Sequence, residues 1–556
     1  MQLSGGYLIT KQPMIRARLN AHTTVLDRPV SELDLEAINA IQATPWAINR
    51  WVLDVMLEAW ASGKRLGGLE VGEPLSLPKR LPDAVWAAMP VADRGSHRHR
   101  LAAIHTANAS ITGRSQAVLD CLTVASELRN EPAIYYPHSK DFRHRVYPVA
   151  CRGPQPQGSD ISKSLIHFAN GLPLGPDGLF WLAVRAANCF GMDKLPLEER
   201  VAWTLGHRGS IIKAASTPLD DPWWTQADEP WSFLATCYEL KQAWALPEPD
   251  EFVSHLPIPL DGSCNGLQHL SALGLDPVGA AATNLAAHQP RQDIYERVAG
   301  RVRELIEADV LAGNDDARCW HGGVTRKTVK RAVMTTPYGV TDRGIRDQLL
   351  NDGHVPDTDD GVGTGWAADY LRDKLVQALS DTVQGAKGIM AWLQVTADRL
   401  ARAGLPFRWT TPTGSMVEQA YHVAAVQEVR TLCGKLTLLN AEVEAGLNVR
   451  KQALGSAPNF IHSFDAAHLS MTVLEANRRG MRSFSMIHDS YGVHARNTTE
   501  LAGILREQFV AIYSQDWLTK LYDEVRAYAP RVVIDKPPQR GTFNIQEVTD
   551  AEFFFS

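Results

Sequence analysis

The residues best suited to chemistry are two aspartates that lie far apart along the chain in similar local settings. Asp489 sits between two short apolar stretches in the string SMIHDSYGV at residues 485–493, a pattern typical of a strand–turn–strand hairpin. Asp261 follows the apolar string LPIPL and precedes a turn that opens into a helix. Each string alone also fits an ordinary turn. Two carboxylates that converge in the fold are what two-metal phosphoryl-transfer chemistry requires.

A cationic segment, RKTVKRAVMTTPYG at residues 326–339, lies between them. Arg326 and Lys330 are four residues apart and so share one face of a helix. Tyr338 follows about two turns later, which suits a triphosphate at the cationic end and a base or sugar at the aromatic end. Pro337 is expected to kink or end the helix just before Tyr338. The alternative for this string alone is a basic surface helix.

Composition restricts the class of protein that can position these residues. The chain has 556 residues, 45% hydrophobic and 21% charged, which indicates a globular protein of two to four subdomains. It contains no run of 18 apolar residues, so no membrane span is expected. Seven cysteines without a Cys-x-x-Cys pair argue against zinc and redox motifs and favour a reducing compartment. The net charge of −6 means that nucleic acid would need local basic patches.

The hydrophobic pattern predicts a mainly helical chain with a few strands. The pattern predicts helices over 31–62, 99–129, most of 159–245, 291–311, 326–351 and 366–404. Strands are predicted over 131–151, and a hairpin over 407–421 that turns at Pro412-Thr413-Gly414. Residues 351–366 are predicted to be a surface loop, and residues 458–482 a loop followed by a helix.

Three strings, in order, resemble motifs A, B and C of the single-subunit DNA-dependent RNA polymerases of bacteriophages and mitochondria. They are DGSCNGLQH from Asp261, the 326–339 segment, and His488-Asp489-Ser490. Further strings agree with the family: DFRHRVY at 141–147, NCFG at 188–191 with Asp193 and Lys194, PNFIHS at 458–463 with Asp465 and His468, and the aromatic end FFFS at 553–556. The resemblance spans about residues 141–556, and the shared order makes it specific.

The resemblance implies an α+β, mainly helical, right-hand polymerase fold of thumb, palm and fingers with a small antiparallel palm sheet. The implied divisions are 1–45 (remnant or linker to a missing N-terminal domain), 46–125 (thumb), 126–280 (first part of the palm), 281–462 (fingers) and 463–556 (second part of the palm and C-terminal foot). A promoter-reading loop is expected at about 434–456, with five side chains able to reach base edges: Lys435, Asn440, Asn448, Arg450 and Gln452.

The implied activity is template-directed RNA synthesis from NTPs on a DNA template. Asp261, the carbonyl of Gly262 and Asp489 would hold two Mg²⁺ ions. Arg326 and Lys330 would contact the triphosphate, with Lys330 and Tyr338 counted among the catalytic residues.

The resemblance also implies roles around the nucleotide. Tyr338 would lie against the nucleotide sugar, and His462 would help to recognise the ribose. Template, product or nucleotide contacts are expected from four weaker candidates: Arg145, Tyr147, Lys163 and Lys194. His488 is expected to support the catalytic turn.

Three departures from the family's pattern qualify these expectations, and the first is Pro337, just before Tyr338. Residue 144 is His where the family usually has Gly. Ser4-Gly5-Gly6-Tyr7 resembles a segment well inside the family's sequence, so an N-terminal domain is expected to be missing and a separately encoded N-terminal fragment is a candidate partner. The expected location is the cytoplasm, that of a bacterial host if the gene belongs to a phage or prophage. The alternatives are a related DNA polymerase and a non-catalytic nucleic-acid-binding remnant.

Overall fold

The structure is a computed structural model that describes residues 14–16, 30–69, 72–150, 152–287, 291–356, 364–423, 425–431, 434–440 and 446–555. The Ser4–Tyr7 string therefore lies outside the described residues. Helices predominate: Glu32–Gln42, Arg50–Ala61, Asp83–Ala88, Val91–Glu127, Asp160–Ser164, Gly175–Phe190, Leu197–Gly206, Arg208–Ser216, Pro230–Ala245, Asn265–Gly274, Pro277–Ala282, Ile294–Leu311, Asp315–Arg318, Arg326–Thr335, Asp342–Asn351, Thr364–Thr382, Gln384–Arg402, Val449–Arg478, Thr498–Tyr513 and Trp517–Tyr528.

The strands are short and form small, mostly antiparallel sheets. Their bounds are Ile15–Arg16, Trp46–Ile48, His138–Asp141, Val146–Pro148, Ile166–Phe168, Leu172–Pro173, Val253–Ser254, Pro257–Asp261, Phe407–Thr410, Met416–Gln419, Ala425–Thr431, Gly434–Asn440, Ser485–Ile487 and Ser490–His494. The expected α+β, mainly helical class with a small antiparallel sheet is confirmed. Among the described residues, no helix is both long and apolar enough to cross a membrane.

The sheet that matters for function has three strands in the order Ser485–Ile487, Ser490–His494, Pro257–Asp261. Both pairings are antiparallel, and Ser490 lies opposite Asp261. Alternate side chains of the two outer strands are buried, which fixes their register because a slip of one residue would expose them, and the middle strand is buried from Tyr491 to His494. The buried apolar side chains are Ile258, Leu260, Met486, Tyr491 and Val493.

The helix Val449–Arg478 runs through the core and is buried along most of its length. It packs against four other helices, Glu32–Gln42, Asn265–Gly274, Gln384–Arg402 and Thr498–Tyr513. The prediction of a loop followed by a helix over 458–482 is wrong, because Pro458 lies inside this continuous helix. Proline removes one backbone hydrogen bond and clashes with the carbonyl four residues earlier. Burial of nearly every following side chain outweighs this local cost.

Other predicted helices are interrupted by tertiary contacts. The predicted 31–62 helix is two helices separated by the strand Trp46–Ile48, which pairs with Ile166–Phe168. That pairing places the strand Ile166–Phe168 inside the region predicted to be mostly helical over 159–245, and a second strand there, Leu172–Pro173, pairs with Val253–Ser254. The predicted 366–404 helix is likewise two helices that break at Val383. The interruption at Trp46–Ile48 depends on a distant partner that local periodicity does not reveal.

The other elements agree more closely with expectation. The 407–421 hairpin is confirmed, with Thr410 paired to Met416 across the predicted turn. The predicted 326–351 helix ends at Thr335 and passes into a short 3₁₀ turn, Thr336–Tyr338, as expected from Pro337. The other 3₁₀ turns in the described part of the chain are Pro222–Gln226, Pro249–Glu251, Ala495–Asn497 and Ile545–Asp550.

Candidate active site

The three-stranded sheet brings the two aspartates together. Asp261 ends its strand opposite Ser490, and Asp489 is the residue before Ser490 in the connecting turn. The pairing of Ile487 with Ser490 leaves a two-residue loop of His488 and Asp489. The convergence predicted from the two separate strings is therefore present in the structure.

Strained backbone shapes both strand ends. His488 has φ = 53° and Cys264 has φ = 66°, in the left-handed region that costs a non-glycine residue about 1 kcal/mol or more. His488 turns the hairpin so that Asp489 leads directly into the strand beside Asp261. Cys264 begins the helix Asn265–Gly274, whose first residues lie close behind Asp261. Such strain persists where the surrounding structure enforces it, and it is frequent at functional sites.

The environment of Asp261 favours its protonated form. Its side chain reaches the open cleft but is closely surrounded by protein, and this loss of hydration, with the nearby charge of Asp489, raises the pKa of Asp261 to about 6. A hydrogen bond from the Ser490 hydroxyl opposes the rise. A bound cation at this place would favour the ionised form of Asp261.

Gly262 and the C-terminal residues close one side of this site. Gly262 pairs with Phe555, and a Cβ atom at position 262 would lie 2.8 Å from Gln268 Oε1 and 3.2 Å from the Phe555 ring. A side chain at position 262 would therefore force Gln268 or Phe555 to shift. The Ser263 hydroxyl donates to the Phe553 carbonyl at 3.2 Å, and Gln268 Nε2 donates to the Phe554 carbonyl at 3.0 Å. The aromatic end of the chain thus packs against the Asp261 turn.

The helix Arg326–Thr335 delivers two cations to the same cleft. A reciprocal cap begins the helix: Thr325 Oγ1 accepts from the backbone N–H of Thr328, and Thr328 Oγ1 accepts from that of Thr325. Arg326 and Lys330 then line a cleft of about 690 Å³ that is also lined by Asp261. Fixed cations beside a helix N-terminus favour anionic ligands.

Further residues on the cleft wall were missed by the sequence reasoning, since isolated charges carry no local signal. They are Arg185, Asp228, Glu229, Arg291 and Asp293.

Tyr338 lies where the 3₁₀ turn meets two other elements. Its ring centre is 4.6 Å from that of His462, which belongs to the helix Val449–Arg478. Gly266 leaves room for Pro337 and Tyr338, since a Cβ at 266 would lie 2.9 Å from Pro337 and 3.4 Å from the Tyr338 ring. The next residue, Gly339, has φ = 73° and lies against the carbonyl of Leu454. The kink at Pro337 therefore places Tyr338 against His462.

His462 presents an unused hydrogen-bond donor. Its side chain is 7% exposed, and burial together with the charges of Arg145 and Arg143 moves its pKa well below the usual value, so the ring is neutral. Arg143 Nη1 lies 2.6 Å from His462 Nδ1. Because a guanidinium can only donate, Nδ1 accepts and the ring proton is on Nε2. Nε2 is buried without a partner among the described residues, so it can donate to a ligand oxygen.

Arg145 and Tyr147 are held by protein partners. The guanidinium of Arg145 binds Asp465, with Nε 3.1 Å from Oδ1 and a shorter contact from Nη2. The hydroxyl of Tyr147 donates to Asp141 at 3.2 Å, and its ring meets the edge of His488 at 4.7 Å. Direct contacts of either side chain with nucleic acid or nucleotide stay a prediction.

Sequence reasoning also overlooked Arg143, the neighbour of Arg145. Arg143 lies in the same DFRHRVY string and is the residue that contacts His462. The resemblance of this string to the family already pointed to its arginines, but Arg145 was chosen as the candidate instead of Arg143.

Both lysine candidates lie near Asp261. Lys194 lines the 690 Å³ cleft and pairs with its neighbour Asp193. Lys163 lies 2.7 Å from Glu229 and lines an adjoining cavity of about 110 Å³, which Asp261 and Ser490 also line. The structure therefore brings Lys194 together with Arg326 and Lys330, and it places the charge of Lys163 close enough to Asp261 to favour the ionised carboxylate.

The expected promoter-reading loop differs in form from the prediction. Residues 425–431 and 434–440 form a hairpin, and the helix beginning at Val449 takes in the rest of the predicted 434–456 range. Gln452 is fully buried and exchanges hydrogen bonds with Gln419 at 2.7 and 2.8 Å. The expectation that Gln452 reaches base edges is therefore wrong.

Three of the other candidates from this loop have side chains at or near the surface. Lys435 is exposed and pairs with Glu428, Arg450 is exposed, and Asn448 caps the helix. The side chain of Asn440 lies outside the described part of the chain.

Comparison with known proteins identifies relatives over most of the chain. Residues 172–534 match the family model described as DNA-dependent RNA polymerase. DNA-directed RNA polymerase 2B, chloroplastic/mitochondrial, of Nicotiana tabacum is 36% identical over 94% of this chain and 51% of its own length. The mitochondrial RNA polymerase 1 of Arabidopsis thaliana is 34% identical over 96% of this chain and 55% of its own. The chain spans about half the length of these curated relatives.

Among solved structures, the polymerase domain of Pol1 from M. smegmatis, in complex with DNA primer-template and dNTP, covers 81% of this chain and 78% of its own. Its sequence is 13% identical, and the TM-score of 0.28 is too low to contribute to the assignment.

Proposed function

The chain belongs to the DNA-dependent RNA polymerase family, and on that premise we propose that it catalyses template-directed synthesis of RNA from NTPs on DNA. The observation that carries the proposal is the junction of Asp261 and Asp489 on one sheet, beside a cleft lined by Arg326 and Lys330. This pairs an acidic metal-binding corner with a cationic triphosphate-binding wall. Neither feature alone would specify nucleotidyl transfer.

The residues present fit two Mg²⁺ ions. Mg²⁺ is usually bound through one or two carboxylates, water and substrate phosphates, so it does not need a cage of protein ligands. Asp261 and Asp489 supply the carboxylates, and the pKa of Asp261, raised mainly by burial and also by the charge of Asp489, indicates that a cation there would stabilise its ionised form. The Gly262 carbonyl accepts from the Cys264 N–H at 3.1 Å and keeps a second lone pair for a ligand. When bound, the ions would stabilise charge on the attacking and leaving oxygens.

The protein's own side chains would bind and orient the nucleotide. Arg326 and Lys330 would hold the triphosphate and offset the charge that spreads over its oxygens during transfer. Tyr338 and His462 would lie beside the sugar, where the Nε2–H of His462 can donate to a ribose hydroxyl. This donor favours ribonucleotides over deoxyribonucleotides. It therefore supports an RNA polymerase over a related DNA polymerase.

The proposal extends to the divisions and partners expected from sequence. We keep residues 46–125 as thumb, 126–280 with 463–556 as palm and foot, and 281–462 as fingers. The partners are a DNA template, NTPs and the RNA product, with a separately encoded N-terminal fragment as a further candidate. The relatives' names place them in chloroplasts and mitochondria, so the cytoplasm of a bacterial host stays a prediction.

Extension of a short RNA primer on a DNA template, with NTPs and Mg²⁺, tests the proposed activity. Asp489→Asn is expected to abolish extension while leaving the thermal unfolding temperature nearly unchanged. The matched control is Asp523→Asn, because Asp523 is exposed on the helix Trp517–Tyr528 and does not line the cleft. Retained extension by Asp489→Asn would contradict the assignment of the turn. Absence of template-dependent extension by the unaltered protein would favour the non-catalytic remnant.

Initiation needs a separate experiment, because extension of a primer bypasses promoter opening. The expected result is efficient extension of a primed template and poor initiation on duplex promoter DNA by the purified chain. Efficient unaided initiation on duplex DNA would contradict it.

A further inference from the structure

One edge of the Arg326 guanidinium is occupied by an acid on the cleft wall. Arg326 Nε donates to Asp293 Oδ2 at 2.5 Å, and the guanidinium carbon lies 5.0 Å from the centre of the Tyr295 ring. Within the described residues, the two terminal nitrogens of Arg326 make no hydrogen bond to protein. They therefore form a free pair of donors at the end of the side chain, in the geometry that binds phosphate oxygens bidentately.

Asp293 is itself fixed by a second task. Its other oxygen, Oδ1, accepts from the backbone N–H groups of Tyr295 at 2.9 Å and Glu296 at 3.3 Å, which caps the helix Ile294–Leu311. One carboxylate oxygen thus anchors the residue to a helix, while the other holds Arg326. A carboxylate on the wall of an anion-binding cleft would otherwise only repel the ligand.

We propose that Asp293 is a positioning residue that aims the free end of Arg326 at the triphosphate. The inference rests on the proposed function and adds a residue that the motifs of the family resemblance did not include. Arg326 and Asp293 are each about 30% exposed, so the guanidinium would be mobile without this contact. The contact removes that mobility before the nucleotide arrives, which lowers the cost of binding.

Asp293→Asn separates the two tasks of the carboxylate. The amide oxygen can still accept from the backbone of Tyr295 and so keep the helix cap. The amide nitrogen then faces the Arg326 Nε–H, and two donors do not bond. Asp293→Ser is the second variant, because serine also caps helices but does not reach Arg326.

The expected result is weaker nucleotide binding with little change in the chemical step. Both variants should raise the Kd and KM for NTP by about tenfold and change kcat by less than about threefold. This is the effect of losing one charge-assisted contact that stabilises the bound nucleotide equally before and during the reaction. The matched control is Asp516→Asn, an N-cap aspartate of the helix Trp517–Tyr528 that does not line the cleft. It should leave both constants unchanged.

A double-mutant cycle tests whether Asp293 acts through Arg326. Lysine has no Nε–H, so Asp293→Asn should add less than about twofold to the Kd of an Arg326→Lys protein. A fall in Kd for Asp293→Asn would overturn the proposal and show that the carboxylate only repels the triphosphate. Equal effects in both backgrounds would also overturn it.

The NTP Kd is measured by calorimetry without primer, so the role of Asp293 is tested whether or not the chain extends RNA. If the unaltered protein binds NTP but does not extend the primer, the proposed function is contradicted and the role of Asp293 in binding is not. No NTP binding by the unaltered protein would overturn both.

Discussion

Asp34 is expected to make a large contribution to stability, because it is a buried acid with donors from three distant segments. It is 1% exposed, and its carboxylate forms an ion pair with Lys140 Nζ at 2.6 Å and accepts hydrogen bonds from Ser415 Oγ at 2.6 Å, Ser470 Oγ at 2.8 Å and Thr413 Oγ1 at 3.1 Å. These contacts tie the helix Glu32–Gln42 to the 138–141 strand, the 407–419 hairpin and the core helix Val449–Arg478.

The perturbation is Asp34→Asn, which keeps the shape of the side chain and removes its charge. Lys140 is 0% exposed and has Asp34 as its ion-pair partner in the described structure, so the substitution leaves a buried ammonium group uncompensated. Removing one partner of a buried ion pair costs about 3–5 kcal/mol. At about 2–4 °C per kcal/mol for a cooperative unit of 150–250 residues, the unfolding temperature should fall by about 6–20 °C.

The assay is thermal unfolding followed by fluorescence at pH 7.5, with Asp54→Asn as the matched control. Asp54 pairs with Arg129 at the surface, where both side chains are more than a third exposed, so its loss should cost less than about 1 kcal/mol. Lys140→Met in the Asp34→Asn background removes the uncompensated charge and should restore part of the lost stability. A fall below about 2 °C for Asp34→Asn, or no recovery in the double variant, would refute the reasoning.

Three further outcomes are expected. Tyr338→Phe should lower discrimination between NTPs and dNTPs by roughly tenfold in competitive primer extension, because one hydrogen bond is lost. An unchanged ratio of NTP to dNTP incorporation would show that the 3₁₀ turn has moved this residue out of its role. Burial holds the pKa of His144 below its usual value, so only the unfolded chain takes up this proton as pH falls below about 6.5, and stability falls with it. His144→Gly, which suits φ = 70°, should therefore flatten the decline in urea-unfolding free energy from pH 7 to pH 5 by up to about 1.4 kcal/mol per pH unit, and an unchanged slope would contradict this. Arg450→Ala should weaken binding to duplex DNA without loss of stability, whereas Gln452→Ala should cost about 1–3 kcal/mol of stability; the reverse pattern would contradict the assignment of Gln452 to the core.

Local sequence was sufficient where the controlling interactions are local. The end of the 326–335 helix follows from Pro337, and the 407–419 hairpin follows from its turn residues. Local reasoning failed at Pro458, where the helix-breaking tendency of proline is overridden by burial of the following side chains. It failed again at Trp46–Ile48, whose strand exists because Ile166–Phe168 pairs with it. In both places the deciding contact lies elsewhere in the chain.

The sequence by itself determined which chemistry is available, because the order of its motifs names the acids, cations and aromatic residues of the site. Only the tertiary structure decided how they are used. It set Asp489 beside Asp261, placed Arg145 on Asp465 and put the donor of His462 on Nε2. The physical reason is that charge pairing and proton position depend on neighbours hundreds of residues away. Periodicity and turn propensity report only on neighbours within a few residues.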